Sequence, residues 1–257
     1  MAESYPMVSE GRRRRRRRLA VAVIALLSLV GLLVVADRVA VAYAEDRVAR
    51  EIRAQVAERG LRSGPVQVTI DRFPFLTQVI AGHYPLIRVV VPDVQGDVAG
   101  HTVRLPRLDV ELRDVTASLR ALRGEEEASA RWVTGRVIVA YDTVEEIIDR
   151  PGLTLTERNG QLRVTAPLVV VGREYTVEGT AQVVVESDQV RLRVTELTSA
   201  DLPTNPAIRA LVRAYAEQIS IRVPLPDLPF DLDVDEVSAT PDGLAVIARA
   251  SDVPVTP

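Results

Sequence analysis

The stretch Val66-Gln67-Val68-Thr69-Ile70-Asp71-Arg72-Phe73-Pro74-Phe75-Leu76-Thr77-Gln78-Val79-Ile80-Ala81-Gly82-His83-Tyr84 is where the periodicity of the chain changes. Val66, Val68 and Ile70 alternate with polar neighbours, the two-residue period of a strand with one buried face. An apolar run follows that holds two of the three phenylalanines in the protein. A valine-rich strand, Leu86 to Val91, comes next. The run at Phe73–Tyr84 reads either as a buried crossover between two strands or as a hydrophobic lip at a ligand opening. The residues alone leave both readings open.

Upstream of this stretch the pattern is helical. Val41, Val48, Ile52 and Val56 recur at helical spacing, and Gly60 is placed to end the helix. Further back, seven arginines, Arg12–Arg18, run into eighteen uncharged residues, Leu19–Ala36. Eighteen residues of helix span roughly 27 Å, close to the thickness of a bilayer core. A basic block beside such a span stays in the cytosol. The expected organisation is a cytosolic basic tail (1–18), a single-pass transmembrane anchor (19–36), a juxtamembrane helix (37–60) and an extracytoplasmic domain (61–257). A cleavable signal peptide begins with the same charge order, and Ala42-Tyr43-Ala44 resembles a small-x-small cleavage site. The apolar run is long for a signal peptide, and Asp37 and Arg38 separate it from that site, so an uncleaved anchor is expected. Both readings export the remainder.

Downstream the chain reads mostly as strands: Val103–Leu112, Val133–Tyr141, Leu162–Val164, Val177–Val185 with Val184 out of phase, and Val190–Val194. Asn159-Gly160 is a hairpin turn signal, Ser187-Asp188 a second turn, and Pro241-Asp242-Gly243 a third, between Leu232–Val237 and Leu244–Ala248. Thr143 with Glu146 has the spacing of a capping box, opening a short helix that carries Val144, Ile147 and Ile148 and ends at Pro151-Gly152. Ile208, Leu211, Val212, Tyr215 and Ile219 mark an amphipathic helix, and the proline-rich Val223–Phe230 is extended. Strands that follow one another directly form antiparallel sheet, so the fold class is α+β with a mostly antiparallel sheet. Two or three helices are a thin cover for so many aliphatic strands, which points to an apolar groove.

Composition removes several chemistries. The chain contains no cysteine and no lysine, which excludes thiol nucleophiles, cysteine metal sites, disulfides, Schiff bases and the P-loop lysine. From Asp37 onward there are 25 arginines against 33 acidic residues, a net charge of −8 that argues against a nucleic-acid partner. His83 and His101 are the only histidines and stand in no catalytic or metal-binding motif. Asp231, Asp233 and Asp235 begin like a calcium loop, but Glu236 replaces the required glycine; their alternation with Leu232 and Val234 makes them the wet face of a strand. Glu125–Glu127 reads as a solvated loop. No spacing selects a carboxylate pair for hydrolysis, and Trp132 stands alone rather than in a sugar-binding cluster.

The run Val66–Tyr84, with Phe73-Pro74-Phe75-Leu76-Thr77-Gln78 followed by an apolar pair, Ala81-Gly82 and an aromatic at Tyr84, resembles the hallmark of the LmeA-like proteins of actinobacterial envelopes. The match is dense over about 20 residues, and the organisation from Ala44 to Val253 also fits. The resemblance implies a tubular lipid-binding type of fold, in which a curved antiparallel sheet wraps on one or two helices around an apolar channel. It also implies binding of phospholipids, including phosphoinositide-type lipids, and a part in lipoglycan maturation. The arginine-rich anchor and the absent lipobox cysteine depart from the family pattern.

The expected function is therefore a membrane-anchored lipid-binding protein, not an enzyme, needing no cofactor and no metal. The residues expected to contact lipid are Phe73, Pro74, Phe75, Leu76, Val79, Ile80, Tyr84 and Leu86. An elongated cavity lined by strands within 66–112 and 162–194 is expected to hold the acyl chain. Two other readings compete: a non-catalytic scaffold docking on an envelope glycosyltransferase, and a hydrolase using a carboxylate pair.

Overall fold

The computed structural model describes residues 10–98, 101–118, 120–121, 126–170, 172–186, 189–199, 205–224 and 232–255. The Ser187-Asp188 turn, Asp231, Glu125 and residues 225–230 of the proline-rich stretch lie outside them, as does the start of the basic tail.

The first element is one unbroken helix, α1 (Glu10–Glu58), about 73 Å long at 1.5 Å per residue. It runs through the arginine block, the apolar run and the amphipathic segment without a break. Gly60, at φ +73°, turns the chain out of it. Four strands follow: β1 (Gln67–Ile70), β2 (His83–Val98), β3 (His101–Thr116) and β4 (Ala128–Val139). Between β1 and β2 sits a short helix, α2 (Phe75–Ala81). After α3 (Tyr141–Ile148) come β5 (Thr154–Arg158), β6 (Gln161–Val170), β7 (Arg173–Glu186) and β8 (Gln189–Thr198). The chain then forms α4 (Pro206–Ile219), β9 (Ile221–Pro224), β10 (Asp233–Thr240) and β11 (Gly243–Val255).

The α+β expectation holds, with every strand pair antiparallel, but the strands divide into two sheets. One runs β1-β2-β3-β4-β11-β10 and the other β5-β6-β7-β8-β9. The final hairpin returns to the first sheet, β11 pairing with β4 along its length. The second sheet buries Leu162, Val164, Ala166, Leu168, Val177 and Val194 against α3, α4 and the start of β11. The two stretches expected to line a common cavity thus belong to separate sheets, and the 162–194 stretch already has its cover.

Several local readings change. The run Phe73–Tyr84 contains a helix, closed by Gly82 at φ +64° in the left-handed region. Tyr141 begins α3 rather than ending β4, and its hydroxyl donates to the Thr240 carbonyl at 2.7 Å. Thr143 and Glu146 do not form a capping box. The cap position is Ala140; Thr143 Oγ1 instead accepts from the Arg104 amide at 2.8 Å, and Glu146 accepts from the Thr102 amide at 3.0 Å. Both side chains tie α3 to the backbone of β3. The helix ends at Asp149, in the left-handed region, before Pro151. In α4, Ile208, Val212, Tyr215 and Ile219 face the second sheet, while Leu211, at the edge of the apolar stripe, is exposed. Asn159 and Gly160, at φ 55° and 75°, make the expected tight turn between β5 and β6.

The first sheet bends along two lines. Pro85, Asp114, Arg131 and Asp252 form one cross-strand row at which the pairing ladder skips, although the register on either side is unchanged. Asp114 and Asp252 there have φ of 51° and 54°. A left-handed residue inside a strand reverses which face the following residues present. Leu112 and Val115, Ala130 and Val133, Ala250 and Val253, and Tyr84 and Ile87 therefore share one apolar cluster at a spacing of three. Asp93, at φ 51°, does the same beside Pro106, placing Val91 with Val94 and Leu105 with Leu108. Each bend keeps the aliphatic residues on one face as the sheet curves.

Candidate functional site

The eight residues expected to contact lipid sort into two sets. Phe75 and Tyr84 are buried and Val79 half-buried, in a cluster with Ala40, Val41 and Ala44 of α1. The Phe75 and Tyr84 rings are 6.4 Å apart. Leu86 is half-buried on β2. Phe73 (54% exposed), Pro74, Leu76 and Ile80 (82% exposed) face outward. The segment is thus only partly a buried crossover: one face of α2 is core and the other is bare.

Its hydrogen bonds explain the polar letters of the motif. Gln78 is buried, and its Nε2 donates to the carbonyls of Asp71 (3.2 Å) and Arg72 (2.8 Å), pinning the turn out of β1. Thr77 Oγ1 donates to the Pro74 carbonyl at 2.8 Å. Asp37 of α1 reaches across: its Oδ1 accepts from the Leu76 amide at 2.8 Å, satisfying a free donor at the first turn of α2. The Asp37 side chain is only 3% exposed, and its other oxygen lies 3.6 Å from the Arg38 guanidinium. Arg38 in turn lies over the Phe73 ring, 4.7 Å from its centre. Glu45 accepts from the Ile70 amide at 2.8 Å, so α1 also holds the end of β1. Burial pushes the Tyr84 hydroxyl above its ordinary value of 10.0, since the neutral form is favoured away from water.

A broad aliphatic surface lies elsewhere, on the first sheet. Three cross-strand rows lie side by side: Ile87-Leu112-Val133-Ala250, Val89-Val110-Gly135-Ala248-Val234 and Val91-Leu108-Val137-Val246-Val237. At strand spacings this face is about 19 Å across and 14 Å along. Most of its residues are only half-buried. Among the described residues, α1 packs chiefly on β1, α3 on the start of β3 and on β5, and α4 on β8; at one end of the face Val133 and Ala250 share a cluster with Ala40, Val41 and Ala44 of α1. Gly135 stands at the centre, and a Cβ placed there would meet nothing within 4 Å. Glycine inside a strand weakens it and marks places where something approaches the backbone closely. The opposite face carries ion pairs instead, Arg107–Asp109 and Arg249–Asp235 at 2.8 Å each and Arg88–Asp71 at 2.7 Å.

A polar cleft of about 460 Å³ opens at the Asp114–Asp252 bend, lined by His83, Asp114, Thr116, Ser129, Arg131 and Asp252 together with Ala130. His83, Thr116 and Ser129 are the exposed neighbours of buried Tyr84, Val115 and Ala130, so the cleft and the aliphatic rows lie on opposite faces of the sheet. His83 lies 3.7 Å from Asp114, and His101 lies 4.0 Å from Glu146 at the far end of the β2–β3 pair. Sequence reasoning missed the Gly135 face because its rows are assembled from five strands. It missed Asp37 because nothing near that residue in the sequence calls for a cap.

The model of the LmeA-like phospholipid-binding family matches residues 35–249, most of the chain. No curated protein and no solved structure matches it.

Proposed function

Since the chain belongs to the LmeA-like phospholipid-binding family, we propose that it is a membrane-anchored extracytoplasmic lipid-binding protein whose acyl seat is the aliphatic face centred on Gly135. The observation that carries the seat is a broad aliphatic surface, built from cross-strand rows, with an open position at its middle. Each acyl CH₂ removed from water there contributes about 0.8 kcal/mol, so one chain of about sixteen carbons offers on the order of 10 kcal/mol before ordering costs. Binding of this kind requires no cofactor, no metal and no covalent step. The service performed is maturation of envelope lipids or lipoglycans, with a glycosyltransferase of the envelope as the enzyme that uses the presented lipid.

The anchor is retained in this reading. The apolar part of α1 is uncharged over Leu19–Ala36, and none of its apolar stretch is buried. Cleavage after Ala44 would remove Asp37, Arg38, Ala40 and Val41, which pack against or cap the segment that begins at Phe73. The family match also begins before these residues, at 35. The arginine block keeps the amino terminus in the cytosol and places the sheets outside.

Organic extracts of the purified full-length protein, read by mass spectrometry, test the seat. The wild type should carry phospholipid in near-stoichiometric amount. Gly135→Leu should fill the face and lose the lipid while melting no lower than the wild type, since a Cβ added there meets nothing within 4 Å. Equal lipid content in the two proteins would overturn the assignment of the seat, and no lipid in either would overturn lipid binding.

A further inference from the structure

We infer that the bare face of α2, with Phe73, is a foot seated in the interfacial zone of the same membrane leaflet from which α1 emerges, locked there by Asp37. The inference rests on the reading of α1 as a membrane span and adds to it a second point of contact that fixes how the sheets stand on the bilayer. Ala36 is the last residue of the uncharged run and Asp37 is the next. The 2.8 Å bond from Leu76 to Asp37 places the first turn of α2 within about one helical turn, 5.4 Å, of the end of that run. The headgroup zone occupies about 5–7 Å on each side of the core, so α2 lies at its depth.

What α2 presents there is apolar. Leu76 and Ile80, four residues apart on α2 and turned away from buried Phe75 and Gln78, are 36% and 82% exposed, and Phe73, just before the helix, is 54% exposed. Single exposed aliphatics are ordinary, but these form one patch beside a span end. On the side of α1 away from α2, Val39 and Tyr43, 63% and 62% exposed, add apolar surface at the same depth. Tyrosine is enriched at that depth, and Arg38, over the Phe73 ring and 3.6 Å from Asp37, keeps 56% of its side chain exposed towards the headgroup zone. The bilayer is the occupant that this surface fits, because the span already delivers it there.

The chain has no cysteine, so single cysteines report single positions. The full-length protein is reconstituted in phosphatidylcholine–phosphatidylglycerol vesicles with Leu76→Cys, Ile80→Cys, Val169→Cys or Ile24→Cys carrying an environment-sensitive fluorophore. Val169, on β6, is an exposed aliphatic far along the chain from α2 and serves as the aqueous reference. Labels at 76 and 80 should show blue-shifted emission and lose intensity to lipids carrying a quencher near the headgroup. The label at 169 should show neither, and the label at 24 should respond only to a quencher deep in the acyl chains. Aqueous emission at 80 with deep quenching at 24 overturns the foot and leaves the span standing. No quenching at either position overturns both. Blue-shifted emission at 80 that no lipid-borne quencher reaches means that protein covers the patch, and also overturns the foot.

Discussion

Asp252 and Asp114 sit inside strands at φ of 54° and 51°, a backbone conformation that costs most residues roughly 1–2 kcal/mol. Aspartate tolerates it better, because its short polar side chain satisfies nearby backbone groups. The return is large: at this row four strands reverse their faces together, and Val253 and Val115 join the same cluster as Ala250 and Leu112. Replacing Asp252 with a β-branched residue should oppose the bend directly. Asp252→Val is expected to lower unfolding free energy by about 1–2 kcal/mol, and Asp252→Gly by a few tenths at most, measured by denaturant titration. Equal losses for the two would show that the side chain and not the backbone angle carries the effect.

Among the elements, α1 has two jobs in one rod. Its first part is apolar on all sides and exposed, as a span requires. Its second part is a structural member of the first sheet, capping α2 through Asp37, holding β1 through Glu45 and packing Ala49 beside Val66 and Val68. Chain length sets the test. A protein beginning at Asp37 keeps all of these contacts and should fold with the stability of the full domain. One beginning at Glu45 loses a helix cap worth about 1 kcal/mol and the packing of Ala40, Val41 and Ala44, and should be less stable by about 2–4 kcal/mol in thermal or denaturant melts. Equal stability of the two would remove the argument for a retained anchor. The second part of α1 was legible from Val41, Val48, Ile52 and Val56. Helix α2 was not, because seven residues give too few turns for a periodic signal, and its start is fixed by a residue 39 positions away.

At the scale of the whole molecule, three tyrosines, Tyr84 in one cluster and Tyr141 and Tyr215 in another, hold their protons more tightly when folded. Burial raises Tyr84, Tyr141 and Tyr215 above 10.0. The charge of Glu157 raises Tyr141 further, while its bond to Thr240 lowers it, and Arg150 lowers Tyr215. Above pH 10 the unfolded chain loses these protons first and the folded chain keeps them. Their contribution is therefore complete below pH 10 and is lost as pH rises through the folded values. The melting temperature should fall on the alkaline side, and Tyr84→Phe should make that fall shallower without lowering stability at pH 7, since the hydroxyl has no hydrogen-bond partner among the described residues. An unchanged alkaline slope in Tyr84→Phe would remove Tyr84 from the effect.

The sequence by itself determined the α+β class, the antiparallel pairing, the long apolar amino-terminal segment and the family. These rest on local signals: period-two alternation, Asn159-Gly160, an uncharged run beside seven arginines, and the Phe73–Gln78 motif. Only the tertiary structure decided that the strands form two sheets, because β11 returns to β4 across more than a hundred residues and no local pattern records that choice. It also decided which of the eight expected residues are bare. Phe75 and Ile80 are equally apolar in the sequence, and the direction each takes from α2 is set by where α1 packs. The Gly135 face was invisible for the same reason. A period-two pattern names the residues that share a face within one strand, but the rows exist only once five strands are in register.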